Sequence, residues 1–365
     1  MQLSVLIEVK RNFKVYKTLL PLSWIYGLGV CFRNKLFDWK ILPTEEFDIP
    51  VISVGNLAVG GTGKTPHTEY LISLLSKKYK LAVLSRGYKR KSKGFILADE
   101  SASAQKIGDE PYQIYRKFPT ILVTVDIDRR RAIRSLLALP EAEKPEIILL
   151  DDAFQYRYVT PSLSILLTDS NRLFYHDYLL PAGRLREPAK NCSRADIIIY
   201  TKCVGQPTYC DNENTFFTSY SYENLLPVFT SSNPVKEKSI EQLKKESYSF
   251  LLIAGLANPT NLINYLENYT SDLHSLIYSD HHDFTNKNMD DIKKTFEKIK
   301  NENKLIITSE KDAVRLMDNS SFPEELKAFI FYLPIQVVFN LEQENLFIQT
   351  IEEHVKNFAR NRILA

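Results

Sequence analysis

The stretch Ala58-Val59-Gly60-Gly61-Thr62-Gly63-Lys64-Thr65 follows an apolar run, Ile49-Pro50-Val51-Ile52-Ser53-Val54. It precedes a segment with Pro66 in its first turn and Tyr70, Leu71, Leu74 and Leu75 on one helical face. Strand, glycine-rich loop and helix in that order form the setting of a phosphate-binding loop. Glycines 60, 61 and 63 let successive backbone N–H groups turn toward a polyphosphate, the helix N-terminus adds partial positive charge, and Lys64 supplies a full one. The Thr65 hydroxyl is then the expected Mg2+ contact. Ala58 occupies a position that is ordinarily glycine, which the loop tolerates where φ stays negative. A turn that merely joined strand to helix would need neither Lys64 nor Thr65.

Working outward, short continuous apolar strand signals recur at 81–84, 120–125, 147–150, 163–167 and 197–200, with helical stretches between them. Strands of that kind are buried on both faces, and the alternation predicts an α/β fold with a doubly wound, mostly parallel sheet. A polar stretch at 206–246, rich in Asn, Ser, Thr, Tyr and Pro, interrupts the rhythm and reads as irregular or antiparallel connection. A second run follows: strands at 250–253, 273–278 and 305–308, helices at 258–269 and 288–301, and a closing helix at 342–363. The expected division is an N-terminal helical segment over 1–45, a P-loop core over 46–235 and a smaller α/β domain over 236–365.

The net charge of +3 on 365 residues carries no nucleic-acid signature, and no basic run is interleaved with aromatics. Its distribution is uneven. Residues 1–40 hold seven basic side chains against Glu8 and Asp38, so the remainder is slightly acidic. Leu6, Val9, Phe13, Tyr16 and Leu20 lie along one helical face beside lysines. Two readings stand: a helix lying on an anionic membrane surface, or one docked on the protein's own core. The most apolar stretch, 19–32, is interrupted by Pro21, Gly27 and Gly29 and is shorter than the roughly 20 residues of a membrane span. No secretory signal is read. Cys31, Cys192, Cys203 and Cys210 lack C-x-x-C spacing and read as free thiols.

Acids at the ends of strand signals are the next candidates. Asp151-Asp152 closes the run Ile147-Ile148-Leu149-Leu150, where a P-loop protein places a carboxylate toward Mg2+. Asp109-Glu110, between Gly108 and Pro111, is either a helix N-terminus using acids for its dipole or a site for a base that receives a hydroxyl proton. His281 and His282 fall between a strand and a helix signal. Adjacent side chains diverge in extended backbone, which disfavours one shared zinc. Arg86, Arg90, Arg129, Arg184 and Arg186 follow strand signals or lie in Gly/Pro loops, where a guanidinium fork suits phosphate. A guanine-reading N/T-K-x-D element is missing: Thr201-Lys202-Cys203-Val204 has no aspartate, and Ser309-Glu310-Lys311-Asp312 has acid in place of the lysine. ATP is favoured over GTP.

Taken in order, these motifs resemble the tetraacyldisaccharide 4'-kinases of lipid A biosynthesis. The resemblance rests on the 55–66 loop, Leu84-Ser85-Arg86-Gly87-Tyr88, Gly108-Asp109-Glu110-Pro111, Asp151-Asp152-Ala153-Phe154-Gln155, Leu180-Pro181-Ala182-Gly183 with Leu185-Arg186-Glu187-Pro188, Asp280-His281-His282, and the run 308–314. It implies transfer of the γ-phosphate of ATP to the 4'-hydroxyl of tetraacyldisaccharide 1-phosphate by a peripheral enzyme. That enzyme would sit on the cytoplasmic face of the bacterial inner membrane, with an anionic lipid surface as partner and no obligate protein or nucleic-acid partner. It further implies that residues 58–65 bind nucleotide, and that Thr65, Asp151 and Asp152 lie at Mg2+. Asp109, helped by His281 and with Lys64 at the phosphates, would accept the sugar proton. Tyr88, Glu110, Arg129, Arg186 and Glu187 would contact nucleotide or substrate. Two positions depart from the family pattern: Tyr156 replaces a histidine, and Lys89 replaces a glycine. The competing reading is a membrane-peripheral P-loop ATPase or nucleotide switch, which would need no Asp109.

Overall fold

The computed structural model describes residues 15–204, 214–230, 237–256, 258–280, 282–340 and 342–364. The predicted helical face over residues 6–13, Cys210 and His281 lie outside them. Chain order gives helix α1 (Leu20–Asp38), β1 (Val51–Asn56), α2 (Lys64–Leu75), β2 (Leu81–Ser85), β3 (Ile96–Leu97), α3 (Ala104–Ile107), α4 (Asp109–Lys117), β4 (Leu122–Val125), α5 (Arg129–Leu137), β5 (Ile147–Asp151), β6 (Leu163–Asp169), β7 (Ile197–Thr201) and β8 (Thr215–Tyr222). Then come β9 (Leu226–Pro227), α6 (Ile240–Lys245), β10 (Ser249–Ala254), α7 (Thr260–Glu267), β11 (Leu273–Ile277), α8 (Asn286–Lys298), β12 (Lys304–Ser309), α9 (Glu310–Met317), β13 (Ile330–Leu333), β14 (Ile335–Phe339) and α10 (Glu344–Leu364).

The larger sheet runs β14-β8-β7-β6-β1-β5-β2-β4-β3, parallel except where β3 and β14 pair at its two edges. Side chains alternate between two buried faces, as the continuous apolar strands predict. Ile52, Val54, Val83 and Leu149 pack with Leu71, Ile72 and Leu75 of α2 and Ile114 of α4. Val51, Ala82, Leu84 and Leu150 pack with Ala132, Ile133 and Leu136 of α5. Strand β1 lies between β5 and β6, so the P-loop leaves the sheet where neighbouring strands diverge in connection, the usual crevice of an open α/β sheet. The smaller sheet runs β11-β10-β12-β13-β9, with only β9 antiparallel.

The pairings correct the expected division at 236. β14 joins the large sheet against β8, from Ile335 opposite Tyr222 to Phe339 opposite Thr218. Phe347, Ile351 and Val355 of α10 sit in the same core as Ile52 and Val54. The smaller sheet therefore spans β9 to β13, and the chain crosses to it after β8 and returns just before β14. The polar stretch at 206–246 hides β8, which is parallel to β7. Its inner residues Phe216 and Phe217 are buried, whereas Ser219 and Ser221 made the segment look like loop.

Helix α1 runs through the apolar stretch 19–32, since Pro21 sits in the first turn, where no intrahelical N–H is lost. Gly27 lies against Leu179, whose Cδ1 would be 2.7 Å from an added Cβ. The helix is docked by its small and polar side: Ser23, Gly27 and Asn34 are buried together with Phe37. Leu22, Ile25, Leu28 and Phe32 face outward, with Leu28 at 72% exposure.

Lys89 adopts φ 59°, the left-handed region that glycine enters without penalty. A glycine here, as the resemblance implies for related sequences, would enter that turn freely, and lysine holds it at a conformational penalty. We expect Lys89→Gly to leave stability unchanged or raise it by up to about 1 kcal/mol in urea unfolding, since it trades that penalty against extra unfolded-state entropy. A loss of more than about 1 kcal/mol would contradict the reading.

Candidate functional site

The P-loop is braced from behind at each step. Asn56, the last residue of β1, donates through Nδ2 to Thr62 Oγ1 at 2.6 Å, and Thr201 Oγ1 donates to the Thr62 carbonyl at 2.9 Å. Val59 N–H donates to the Arg184 carbonyl at 2.8 Å and Arg186 N–H to the Leu57 carbonyl at 2.7 Å, with Ala58 bridged to Leu185. The 184–186 segment thus runs antiparallel beside the loop entry. Gly60 and Gly63 have φ of 111° and 90°. A Cβ on Gly63 would fall 1.9 Å from Tyr220 Oη, so backbone conformation and a close neighbour both require glycine there. The His67 imidazole, at the first turn of α2, lies with Nδ1 2.8 Å from the Gly63 carbonyl and Nε2 3.0 Å from Thr218 Oγ1. Burial lowers its pKa to about 4, which keeps it neutral. Lys202 reaches the Gly61 carbonyl and pairs with Asp169 at 2.7 Å. The residues that fail as a guanine reader therefore support the loop.

Lys64 opens α2 and Thr65 follows it in the first turn. Lys64 Nζ lies 3.7 Å from Asp152 Oδ1. Asp152 has φ 47°, so the chain turns sharply after β5. Arg186 Nη1 donates to both Asp152 oxygens, at 3.0 and 3.1 Å, and to Gln155 Oε1 at 3.2 Å. Gln155 Nε2 in turn donates to the Asn56 carbonyl at 2.7 Å. Burial would raise the Asp152 pKa, but Lys64 and Arg186 outweigh it and hold the carboxyl below its usual range. Asp151 is the opposite case. It is 2% exposed and accepts from Thr68 Oγ1 at 3.4 Å. Burial first, then the charges of Glu110 and Asp152, push its pKa up against Lys64 and Arg129. Among the described residues no cluster of three or more His, Cys, Asp or Glu side chains is arranged to hold a metal.

Arg129, 4% exposed, starts α5 with its guanidinium 4.8 Å from the Tyr156 ring centroid. Its backbone N–H donates to Tyr156 Oη at 3.1 Å, and that hydroxyl donates to Asp128 Oδ1, the α5 N-cap, at 2.9 Å. Tyr156, where the resemblance implies a histidine, thus caps the helix and stacks on the arginine that feels both Asp151 and Asp152. Arg129 Nε is buried without a hydrogen-bond partner among the described residues.

Asp109 and Glu110 form the first turn of α4, after Gly108 at φ 94°. The helix places Glu110 close enough to act on Asp151, and the Asp109 carboxylate pairs with Arg315 of α9. The acids begin a helix, as the first of the two sequence readings expected, and Glu110 lies within electrostatic reach of Asp151. Tyr88 is 58% exposed beside this edge of the chain's fold, with Lys89 Nζ 6.0 Å from its ring. Glu187 is buried and is held by Asn34 at 3.2 Å, Asn191 at 2.6 Å and Arg194 at 2.7 Å, partners that suit an anchor for its loop. His282 is engaged with Asn288 Oδ1 at 2.9 Å and stacks on Tyr278. Asp280 pairs with Lys311 at 3.0 Å. Gln155, Lys202 and Arg315 were not singled out for a role by the sequence. The first two lie within quoted motifs, whereas Arg315 stands one position beyond the run 308–314, and only the helical period of α9 would have placed it beside Asp312.

A sequence profile described as tetraacyldisaccharide-1-P 4'-kinase matches residues 15–356. The tetraacyldisaccharide 4'-kinase of Phocaeicola vulgatus is 51% identical over 360 residues, which are 95% of this chain and 97% of that protein. The one from Parabacteroides distasonis is 49% identical over 362 residues, covering 96% and 97%. Among solved structures, Aquifex aeolicus LpxK in complex with ATP superposes with a TM-score of 0.73 at 31% identity, covering 93% of this chain and 98% of that one. The motif set, the P-loop at the centre of the large sheet and these matches over nearly the whole length agree, and the chain belongs to the tetraacyldisaccharide-1-P 4'-kinase family.

Proposed function

We propose that the chain transfers the γ-phosphate of ATP to the 4'-hydroxyl of tetraacyldisaccharide 1-phosphate, with Asp109 as the group that orients and deprotonates that hydroxyl. What supports this reading is that Asp109 and Glu110 open α4 and that Glu110 lies within electrostatic reach of Asp151 at the carboxyl end of β5. A nucleotide switch would have no use for a second carboxylate pair there. The P-loop N–H groups and Lys64 would bind the phosphates. Arg129, with its buried unpaired Nε, is suited to a phosphate oxygen. Phosphoryl transfer depends on positioning and charge stabilisation, and the hydroxyl proton moves late, so the acceptor need not be a strong base.

Magnesium fits the residues present. Thr65, Asp151 and Asp152 offer hard oxygen donors, and the buried Asp151, whose pKa is raised, gains from a neighbouring cation. Those three side chains would hold it, and when bound it neutralises charge on the transferring phosphates. Arg186 ties Asp152 down, with Gln155 completing the link to β1.

The acceptor carries four acyl chains, which places it at a lipid surface, and α1 is built to meet one. Its polar side is docked and its apolar side, with Leu22, Ile25, Leu28 and Phe32, faces outward. No helix among the described residues is long and apolar enough to cross a membrane, so the contact would be peripheral, at the inner-membrane surface. Replacing both Ile25 and Leu28 by Glu should cut co-sedimentation with anionic phospholipid vesicles by about fivefold or more, with the unfolding midpoint unchanged. Undiminished sedimentation would remove α1 from the membrane contact.

Two substitutions separate binding from transfer. Lys64→Ala should weaken ATP binding and transfer together. Asp109→Ala should leave ATP affinity within about threefold and lower kcat by at least about 100-fold. Turnover near that of the parent protein in Asp109→Ala would exclude Asp109 as the base while leaving the kinase activity itself standing.

A further inference from the structure

Helix α9 belongs to the smaller sheet's lobe, yet Glu310, Arg315 and the C-cap Asp318 reach toward the P-loop lobe. Lys117 of α4 sits between Glu69 of α2 and Glu310 of α9, 2.6 Å from each. Asp318, which ends α9, accepts from Tyr112 Oη at 3.0 Å and from the Ala104 N–H at 3.2 Å. Val314 packs with Ile107, Tyr112 and Val125. These contacts suffice to dock α4 on α9.

Arg315 does something different. Its guanidinium, 7% exposed, donates to Asp109 Oδ2 from one nitrogen and to Asp312 Oδ1, at 3.0 Å, from the other. Asp312 is fully buried and held in turn: its Oδ2 accepts from the Gly255 N–H at 2.8 Å and from Ser309 Oγ at 2.6 Å. Gly255 is required at that contact, since a Cβ would approach Asp312 Oδ1 to 2.9 Å. The result is a chain of three groups: a backbone N–H and a hydroxyl orient Asp312, Asp312 orients the Arg315 fork, and the fork fixes one oxygen of Asp109. Burying a guanidinium between two carboxylates is an expensive way to dock helices that other contacts already dock. It is an effective way to hold one carboxylate in a single rotamer.

We propose that Arg315 is a positioning residue for phosphoryl transfer: from the second lobe it orients the Asp109 carboxylate toward the acceptor hydroxyl, with Asp312 as its own support. This rests on the reading of Asp109 as the base. It gives the run 308–314 and the residue after it a purpose in the reaction, and it makes alignment of the base depend on contact between the two lobes. Separating α9 from α4 would withdraw Arg315 from Asp109 while leaving the P-loop intact.

The test compares Arg315→Met, Arg315→Lys and Asp318→Asn, each assayed for lipid phosphorylation at varied ATP and acceptor. Arg315→Met should lower kcat by about 30-fold or more with both KM values within about threefold, and Arg315→Lys should recover part of the loss. Asp318→Asn, which loosens the docking without touching Asp109, should stay within about threefold of the parent kcat. In an Asp109→Asn background, Arg315→Met should add little further loss, because the two residues act as a unit. If Arg315→Met unfolds, as its thermal midpoint will show, Arg315→Lys and the double substitution with Lys at 315 carry the comparison. The proposal is overturned if Arg315 variants lose no more kcat than Asp318→Asn, or if their loss lies in KM. Should Asp109→Ala itself remain active, the base assignment fails and this proposal with it. An inactive Asp109→Ala beside a fully active Arg315→Met would sink this proposal alone.

Discussion

Two carboxylates at the end of one buried strand impose the strongest constraint on this molecule. Asp151 is buried at the end of β5, and Asp152 follows it in a left-handed turn, so their charges are forced together at the sheet's carboxyl edge. Leaving such charges uncompensated in an interior would cost several kcal/mol each. The neighbourhood compensates Asp152 in full and Asp151 in part: Lys64 from the P-loop and Arg129 from the start of α5 act on both, and Arg186 from the loop beside the P-loop pairs with Asp152. The arginines themselves need holding. Tyr156 stacks on Arg129, and Gln155 ties Arg186 back to the end of β1.

The loop carrying Arg186 is also where α1 meets the site. Ser23 donates to the Leu179 carbonyl at 2.9 Å, Tyr26 to the Arg186 carbonyl at 2.9 Å, and Asn34 to Glu187 at 3.2 Å. The same loop pairs with the P-loop entry through Val59 and Leu57. Three structures are therefore continuous through hydrogen bonds: the outward apolar face of α1, the 179–187 segment and the phosphate loop. Under the proposed contact of α1 with lipid, this connection would hold the phosphate site at a fixed height above that surface.

Much of this was legible in the sequence because it is local. The P-loop, the acids after an apolar strand and the strand–helix alternation each occupy a dozen residues or fewer, and their periodicity or glycine content reports a backbone requirement. The long-range returns were not legible. β8 lies in a stretch of Ser, Tyr and Asn that reads as loop, and its place is set by β7 on one side and β14 on the other, more than a hundred residues away. For the same reason the C-terminal strand and helix were assigned to the wrong lobe. Pro21 and Gly27, which interrupt the apolar stretch 19–32 in the sequence, do not break α1: one sits in the first turn and the other admits Leu179. Arg315 was invisible because its meaning lies across the lobe interface, 206 residues from Asp109. The departure at Lys89 was visible as a difference, and the positive φ explains it.

The account stands on one claim: phosphate bound at the Lys64 loop is delivered to a sugar hydroxyl positioned by Asp109. The most direct measurement incubates the purified protein with γ-labelled ATP, Mg2+ and the tetraacylated disaccharide 1-phosphate in mixed micelles, then locates the label by phosphorus–proton correlation in the product. The account predicts a second monoester on the lipid, attached to the 4' oxygen. Label recovered only as inorganic phosphate, or on another hydroxyl, would contradict it.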